Sequence, residues 1–114
     1  MAKKTMREIK KIPCVKFYRT NGRITAAFSR AVRIPVRAVD CKLEVLPGKR
    51  PSAFKLRFVD LNSPLRRTVK ANEAPWPQEL VTDPDWAPFK VPVRVYLVEG
   101  EDGWWYGDYT YRIE

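Results

Sequence analysis

The sequence predicts a mainly β protein, a small antiparallel barrel or strongly bent sheet of about six strands built from three hairpins, with little helix. Two observations carry that expectation. Short runs alternate apolar and polar side chains with the period of a half-buried strand, and corners rich in Gly, Asn or Pro join them in pairs. Prolines at 13 and 35 interrupt the stretches that would otherwise propagate a helix. At 114 residues the chain can bury a core without staples, so one β domain over residues 13–114 is expected after a basic arm at 1–12.

The first hairpin is read from KFYRTNGRIT, residues 16–25. Asn21 and Gly22 both tolerate the positive φ that a two-residue type I′ turn demands. Such a turn places Thr20 opposite Arg23, Tyr18 opposite Thr25, Phe17 opposite Ala26 and Val15 opposite Phe28. Val15, Phe17, Ile24, Ala26 and Phe28 then form a core face. Lys16, Tyr18, Thr20, Arg23, Thr25 and Ala27 form the outward face, which is basic and carries an aromatic ring.

Beyond it, Arg30, Arg33 and Arg37 punctuate an apolar segment, in which a short helix over 29–33 followed by an extended piece is expected. A second hairpin pairs residues 41–46 with 53–60 through PGKRPS, presenting a basic wet face and a stiff tip with Lys49 and Arg50. Residues 61–90 read as a long ordered connection with a short helix near 77–81. Trp76 and Trp86 are its expected anchors, since indoles carry large buried areas.

The third hairpin puts Val91, Val93, Val95 and Leu97 on one face and Arg94, Tyr96 and Val98 on the other, with its turn at 100–103. Gly107 marks a bulge or a close backbone approach. Trp104 and Trp105 are adjacent, so at least one of them packs inward.

Charge is distributed unevenly. Residues 1–57 hold 16 basic and 3 acidic side chains, a net of +13, whereas residues 58–114 hold 6 and 10, a net of −4. Such a field attracts polyanions to one side, and nucleic acid is the commonest polyanion in a cell. An aromatic cluster of Tyr96, Trp104, Trp105, Tyr106, Tyr109 and Tyr111 is the second candidate surface, and its acidic surroundings suit a protein partner instead, met by Tyr96, Trp105, Tyr109 and Tyr111, or the basic half of a second copy in a homodimer.

Other function classes fare worse. The chain has no histidine, which removes the usual base of nucleophilic triads and the common zinc sites. No phosphate-binding loop or dinucleotide fingerprint is present, so neither an enzyme nor a metal or other cofactor is expected. Cys14 and Cys41 have no Cys-x-x-Cys spacing and are expected as free thiols in or near the core. The N-terminal residues lack the apolar run of a signal peptide and no stretch approaches a membrane span, so a cytoplasmic or nucleoid location is the expectation.

The binding constellation is Lys16, Tyr18, Arg23, Lys55 and Arg57 on hairpin faces, Lys49 and Arg50 at a tip, and Arg30, Arg33 and Arg37 between them. Cations tracking phosphates, with rings on which bases stack, are what sequence-tolerant binding of single-stranded DNA or RNA requires. The alternative is a small interaction protein, such as a phage-encoded inhibitor, whose asymmetry matches a host protein.

Two stretches resemble known families. DGWWYGDY, residues 102–109, resembles the tryptophan-bearing strand of SH3 domains, without the Ala-Leu-Tyr-Asp-Tyr signature or the Pro-Ser-Asn-Tyr turn, and no peptide-groove function is carried over from it. Residues 21–46 are similar in rhythm to the swapped-hairpin DNA-binding domains of the AbrB and MazE type, lacking the proline after the first strand and the Gly-Asp before the second. That resemblance implies duplex DNA bound by an intertwined dimer, with Arg23, Arg30 and Arg33 as contacts.

Overall fold

The computed structural model describes residues 5–9, 11–34, 41–60, 67–69, 72–81 and 90–113. The three expected hairpins are present: β1 (Cys14–Thr20) with β2 (Arg23–Phe28), β3 (Cys41–Pro47) with β4 (Ala53–Asp60), and β7 (Val93–Glu99) with β8 (Trp105–Ile113). Two short strands, β5 (Arg67–Thr68) and β6 (Glu73–Pro75), complete an antiparallel sheet of order β5-β3-β4-β8-β7-β1-β2-β6. Because β5 and β6 touch, the sheet nearly closes into a small barrel.

The first hairpin has the register its turn dictates, from Val15 opposite Phe28 to Thr20 opposite Arg23. Asn21 and Gly22 supply the positive φ values, 53° and 77°. The second hairpin runs in continuous register from Cys41 opposite Asp60 to Pro47 opposite Phe54. Cys41, Leu43, Phe54 and Leu56 are buried as the alternation requires.

Closure depends on the segment that carries β5 and β6. Unpaired sheet edges expose rows of N–H and C=O groups that invite association. Here β5 covers β3 and β6 covers β2. The seal is extended by Val69 N–H to the Cys41 carbonyl (3.2 Å), Phe28 N–H to the Asn72 carbonyl (2.8 Å) and Trp76 N–H to the Ile24 carbonyl (3.0 Å). Trp76, 1% exposed, is the anchor expected of it, and a 3₁₀ turn (Gln78–Val81) follows. Trp86 lies outside the described residues.

Four aromatic rings fill the barrel centre, one from each hairpin and one from the closing segment. Phe17 lies 4.8 Å from Trp76 and 5.8 Å from Tyr109 between centroids, and Phe54 lies 5.0 Å and 4.7 Å from the same two. Most of these pairs are edge-on, the geometry ring quadrupoles favour. The Trp76 indole N–H donates to the Tyr109 hydroxyl at 3.0 Å, which satisfies a donor that would otherwise be buried without a partner.

A smaller apolar cluster sits on the outside of the barrel. One helical turn, α1 (Met6–Ile9), lays Ile9 over Cys14 and Ile113, with Ile12 and Tyr96 beside them. Thr5 accepts the Glu8 N–H at 3.2 Å and its hydroxyl meets the Glu8 carboxylate, a capping pair that starts the turn. Both cysteines are free and buried. Desolvation raises the Cys14 thiol above its ordinary value, against the lowering effects of a Ser29 hydrogen bond and the Arg94 charge.

One expected element takes another form. Residues 29–33 make a single tight turn, with Val32 N–H donating to the Ser29 carbonyl at 3.0 Å, and not a short helix. The Ser29 N–H is still tied to the sheet through the Cys14 carbonyl at 3.0 Å.

Two substitutions test this core. A Cβ on Gly107 would fall 2.3 Å from the Phe54 ring and 3.0 Å from Leu97, so Gly107→Ala is expected to destabilise by about 1–3 kcal/mol through overpacking. Phe17→Ala removes a central ring and is expected to cost about 3–5 kcal/mol. Urea midpoints measure both, and a Gly107→Ala protein as stable as the parent would contradict the close approach.

Candidate functional site

Topology decides which surfaces meet. The aromatic hairpin β7–β8 comes last in the chain, yet it lies between β4 and β1 in the sheet. Its outward side chains are therefore flanked by those of the two basic hairpins. Three strand spacings separate β4 from β1, about 14 Å along the sheet.

A departure from regular pairing shapes the middle of this face. Val98 faces Tyr106 and Leu97 faces Gly107, but Val95 faces Arg112, so residues 108–111 bulge away from β7. The extra residues break the inward-outward alternation. Tyr109 keeps the inward parity of Trp105 and Gly107, at 1% exposure, whereas Tyr111 is turned outside at 63%.

Beside the bulge runs a groove of about 700 Å³ whose lining includes Tyr96, Val98, Tyr106 and Tyr111 together with Lys49, Arg50 and Lys55. Of the four large apolar side chains that are exposed among the described residues, Val98, Tyr106 and Tyr111 lie in this groove. The Tyr96 and Tyr111 rings stack at 4.8 Å between centroids, inclined by 39°. The Tyr106 hydroxyl donates to the Asp102 carboxylate, which fixes the ring at the groove wall. That bond raises the Tyr106 hydroxyl and lowers the Asp102 carboxyl relative to their ordinary values.

Trp104 stands next to the groove and bears two cations. The Lys55 Nζ lies 4.5 Å and the Arg57 guanidinium 4.4 Å from its ring centroid, cation–π contacts of about 0.5–1 kcal/mol each at exposed sites. Arg57 Nε also meets Glu44 at 2.6 Å. Arg50 pairs with Asp108, so the basic tip is clamped down onto β8.

Asp108 is the most enclosed carboxylate of the site. Burial alone would raise its pKa, but the Thr110 hydroxyl at 2.5 Å, the Thr110 N–H at 2.9 Å, the Ser52 hydroxyl and the Arg50 charge outweigh burial and hold it below the ordinary value of 3.8. The bulge is thus held open by a carboxylate whose acceptor capacity is filled.

The sequence-derived binding residues fall into separate places. Lys49, Arg50 and Lys55 line the groove and Arg57 adjoins it. Lys16 and Tyr18 lie on the far side of β7, on the outward face of β1. Tyr18 donates to Glu73 at 2.8 Å, bracing β1 against β6. Arg23 stands at the first hairpin turn, and Arg30 and Arg33 in the turn after β2; Arg37 lies outside the described residues.

The assigned partner surface needs correction. Trp105 at 7% and Tyr109 at 1% exposure are core residues, because Trp105 shares the inward parity of Leu97 and Tyr109, four residues on in regular pairing with β4, keeps that parity. Tyr96 and Tyr111 do line the groove. Sequence reasoning put Trp104 and Tyr106 in the aromatic cluster but did not place Val98 in the site. The outward assignment of Val98 contained the signal, since pairing across the turn puts Tyr106 outward beside it and Trp105 inward.

Asp108→Asn removes a charge that Arg50 and two hydroxyls are arranged around, and is expected to cost about 1–3 kcal/mol at neutral pH. Because its folded pKa is depressed, the contribution of Asp108 is complete above 3.8 and is lost as pH falls through the lower folded value. The parent protein should therefore lose more stability on acidification than Asp108→Asn, a difference that thermal melts from pH 7 to pH 2 would read. No protein-family model, curated protein or solved structure matches this chain.

Proposed function

We propose that the protein binds single-stranded nucleic acid across the outer face formed by β4, β8, β7 and β1. One observation carries this reading: an exposed aromatic groove lies between strands that supply cations on both sides. Bases stack on Tyr106 and Tyr111, while Lys49 and Lys55 on one flank and Lys16 on the other reach phosphates. Every base has a π-face, so recognition of this kind is tolerant of sequence. A groove of about 700 Å³ lined by side chains suits unpaired bases, and the edges of a stacked duplex would not reach the rings.

The internal ion pairs limit the electrostatic contribution. Arg57 and Arg50 already face Glu44 and Asp108, so fewer cations answer phosphates than the net charge suggests. With about five phosphate contacts, log K against log salt is expected to slope at roughly −3.5 for a single strand.

Fluorescence anisotropy against single-stranded DNA, single-stranded RNA and duplex DNA at several salt concentrations tests the reading. Tyr111→Ala and Tyr106→Ala should each weaken single-strand binding by about 1–3 kcal/mol. Lys49→Gln should weaken it uniformly across sequences and make the slope shallower by about 0.7. Absence of binding at low salt would overturn the reading and turn attention to a protein partner for the exposed Val98, Tyr106 and Tyr111.

A further inference from the structure

We propose that a second hollow, on the outer face of β1, β2, β6 and β7, holds the terminal phosphomonoester of a nucleic acid strand. This inference rests on the single-strand reading above and adds recognition of a strand end. The hollow encloses about 320 Å³ and shares no lining residue with the aromatic groove.

Strand register creates it. Arg94 faces Lys16, Lys16 faces Ala27, and Ala27 faces Glu73, which makes one row across four adjacent strands. The alanine is the smallest side chain of that row, and the space above it is the hollow. Arg30, from the turn after β2, and Asn72, ahead of β6, also line it, above a floor that includes Cys14, Phe28 and Ser29. The Phe28 N–H donates to the Asn72 carbonyl at 2.8 Å, which fixes that residue at the margin.

The charge selects the ligand. Lys16, Arg30 and Arg94 stand against one carboxylate, Glu73, among the described lining residues, a balance of +2. The Tyr18 hydroxyl donates to that carboxylate at 2.8 Å. A phosphomonoester carries about −1.5 to −2 at neutral pH and matches the balance, whereas an internal phosphodiester carries a single charge. The position also fits a strand end: on β7, Arg94 of the hollow and Tyr96 of the groove are one pleat repeat apart, about 7 Å. A chain that starts in the hollow can continue onto the rings.

The test compares oligonucleotides of one sequence with a 5′-phosphate, a 3′-phosphate or hydroxyls at both ends, titrated by anisotropy at fixed salt. One phosphorylated form is expected to bind about tenfold more tightly than the hydroxyl form, as charge-assisted hydrogen bonds to a dianion imply. Arg30→Gln and Ala27→Leu should each return that ratio to near one. Ala27→Leu fills the hollow without changing any charge, and circular dichroism melts verify that both variants fold. Equal affinity of all three forms for the parent protein would overturn the end site and leave the single-strand reading intact. Absence of binding by every form would overturn both. A preference that survives both variants would place end recognition elsewhere and overturn this site.

Discussion

The hydrogen bond from Trp76 to Tyr109, inside a cluster with Phe17 and Phe54, is the constraint on which the rest of the structure depends. Each hairpin alone is a two-stranded ribbon with one apolar face, and such ribbons are marginal in water. The four rings come from the three hairpins and from the segment that closes the sheet. Apolar burial drives them together without direction, whereas the indole N–H needs one acceptor in one place. Tyr109 supplies it from β8, where regular pairing with β4 keeps Trp105, Gly107 and Tyr109 on the inward side.

The irregularity that follows Tyr109 shapes the exterior. Plain alternation would carry Tyr111 inward with Tyr109, but the extra residues turn it outward, stacked on Tyr96. Gly107 permits the Phe54 ring to lie against β8 where any side chain would collide. Asp108 sits at the bend and draws Arg50 down from the opposite hairpin. Tyr109 and Tyr111, of one parity in the chain, are thus parted to core and groove by one backbone irregularity, which is how barrels commonly re-aim side chains.

Much of the fold was legible in the chain. Asn21-Gly22 fixed a turn type, the turn fixed a register, and the register assigned Phe17 inward and Tyr18 outward correctly. Trp76 was legible as an anchor because a large indole in a proline-rich connection has little else to do. The split that leaves Tyr109 inward and Tyr111 outward was not, because alternation holds only until a bulge. The helix expected at 29–33 failed because hydrogen bonds to Cys14 and Asn72, remote in sequence, hold the chain on the sheet.

The candidate site shows why charge counted along a chain differs from charge placed in space. The +13 and −4 halves suggest a molecule with two poles. Strand order interleaves them, since the acidic third hairpin is inserted between the basic first and second ones. Carboxylates at Asp102 and Asp108 consequently hold Tyr106 and Arg50 in place, and the aromatic rings read as a separate surface sit among cations. A sheet in which the last hairpin pairs with both earlier ones turns two poles into a single face of alternating character. Along that face stacking surface and positive charge lie side by side, with the Lys55 and Arg57 cations 4.5 Å and 4.4 Å from the Trp104 ring centroid.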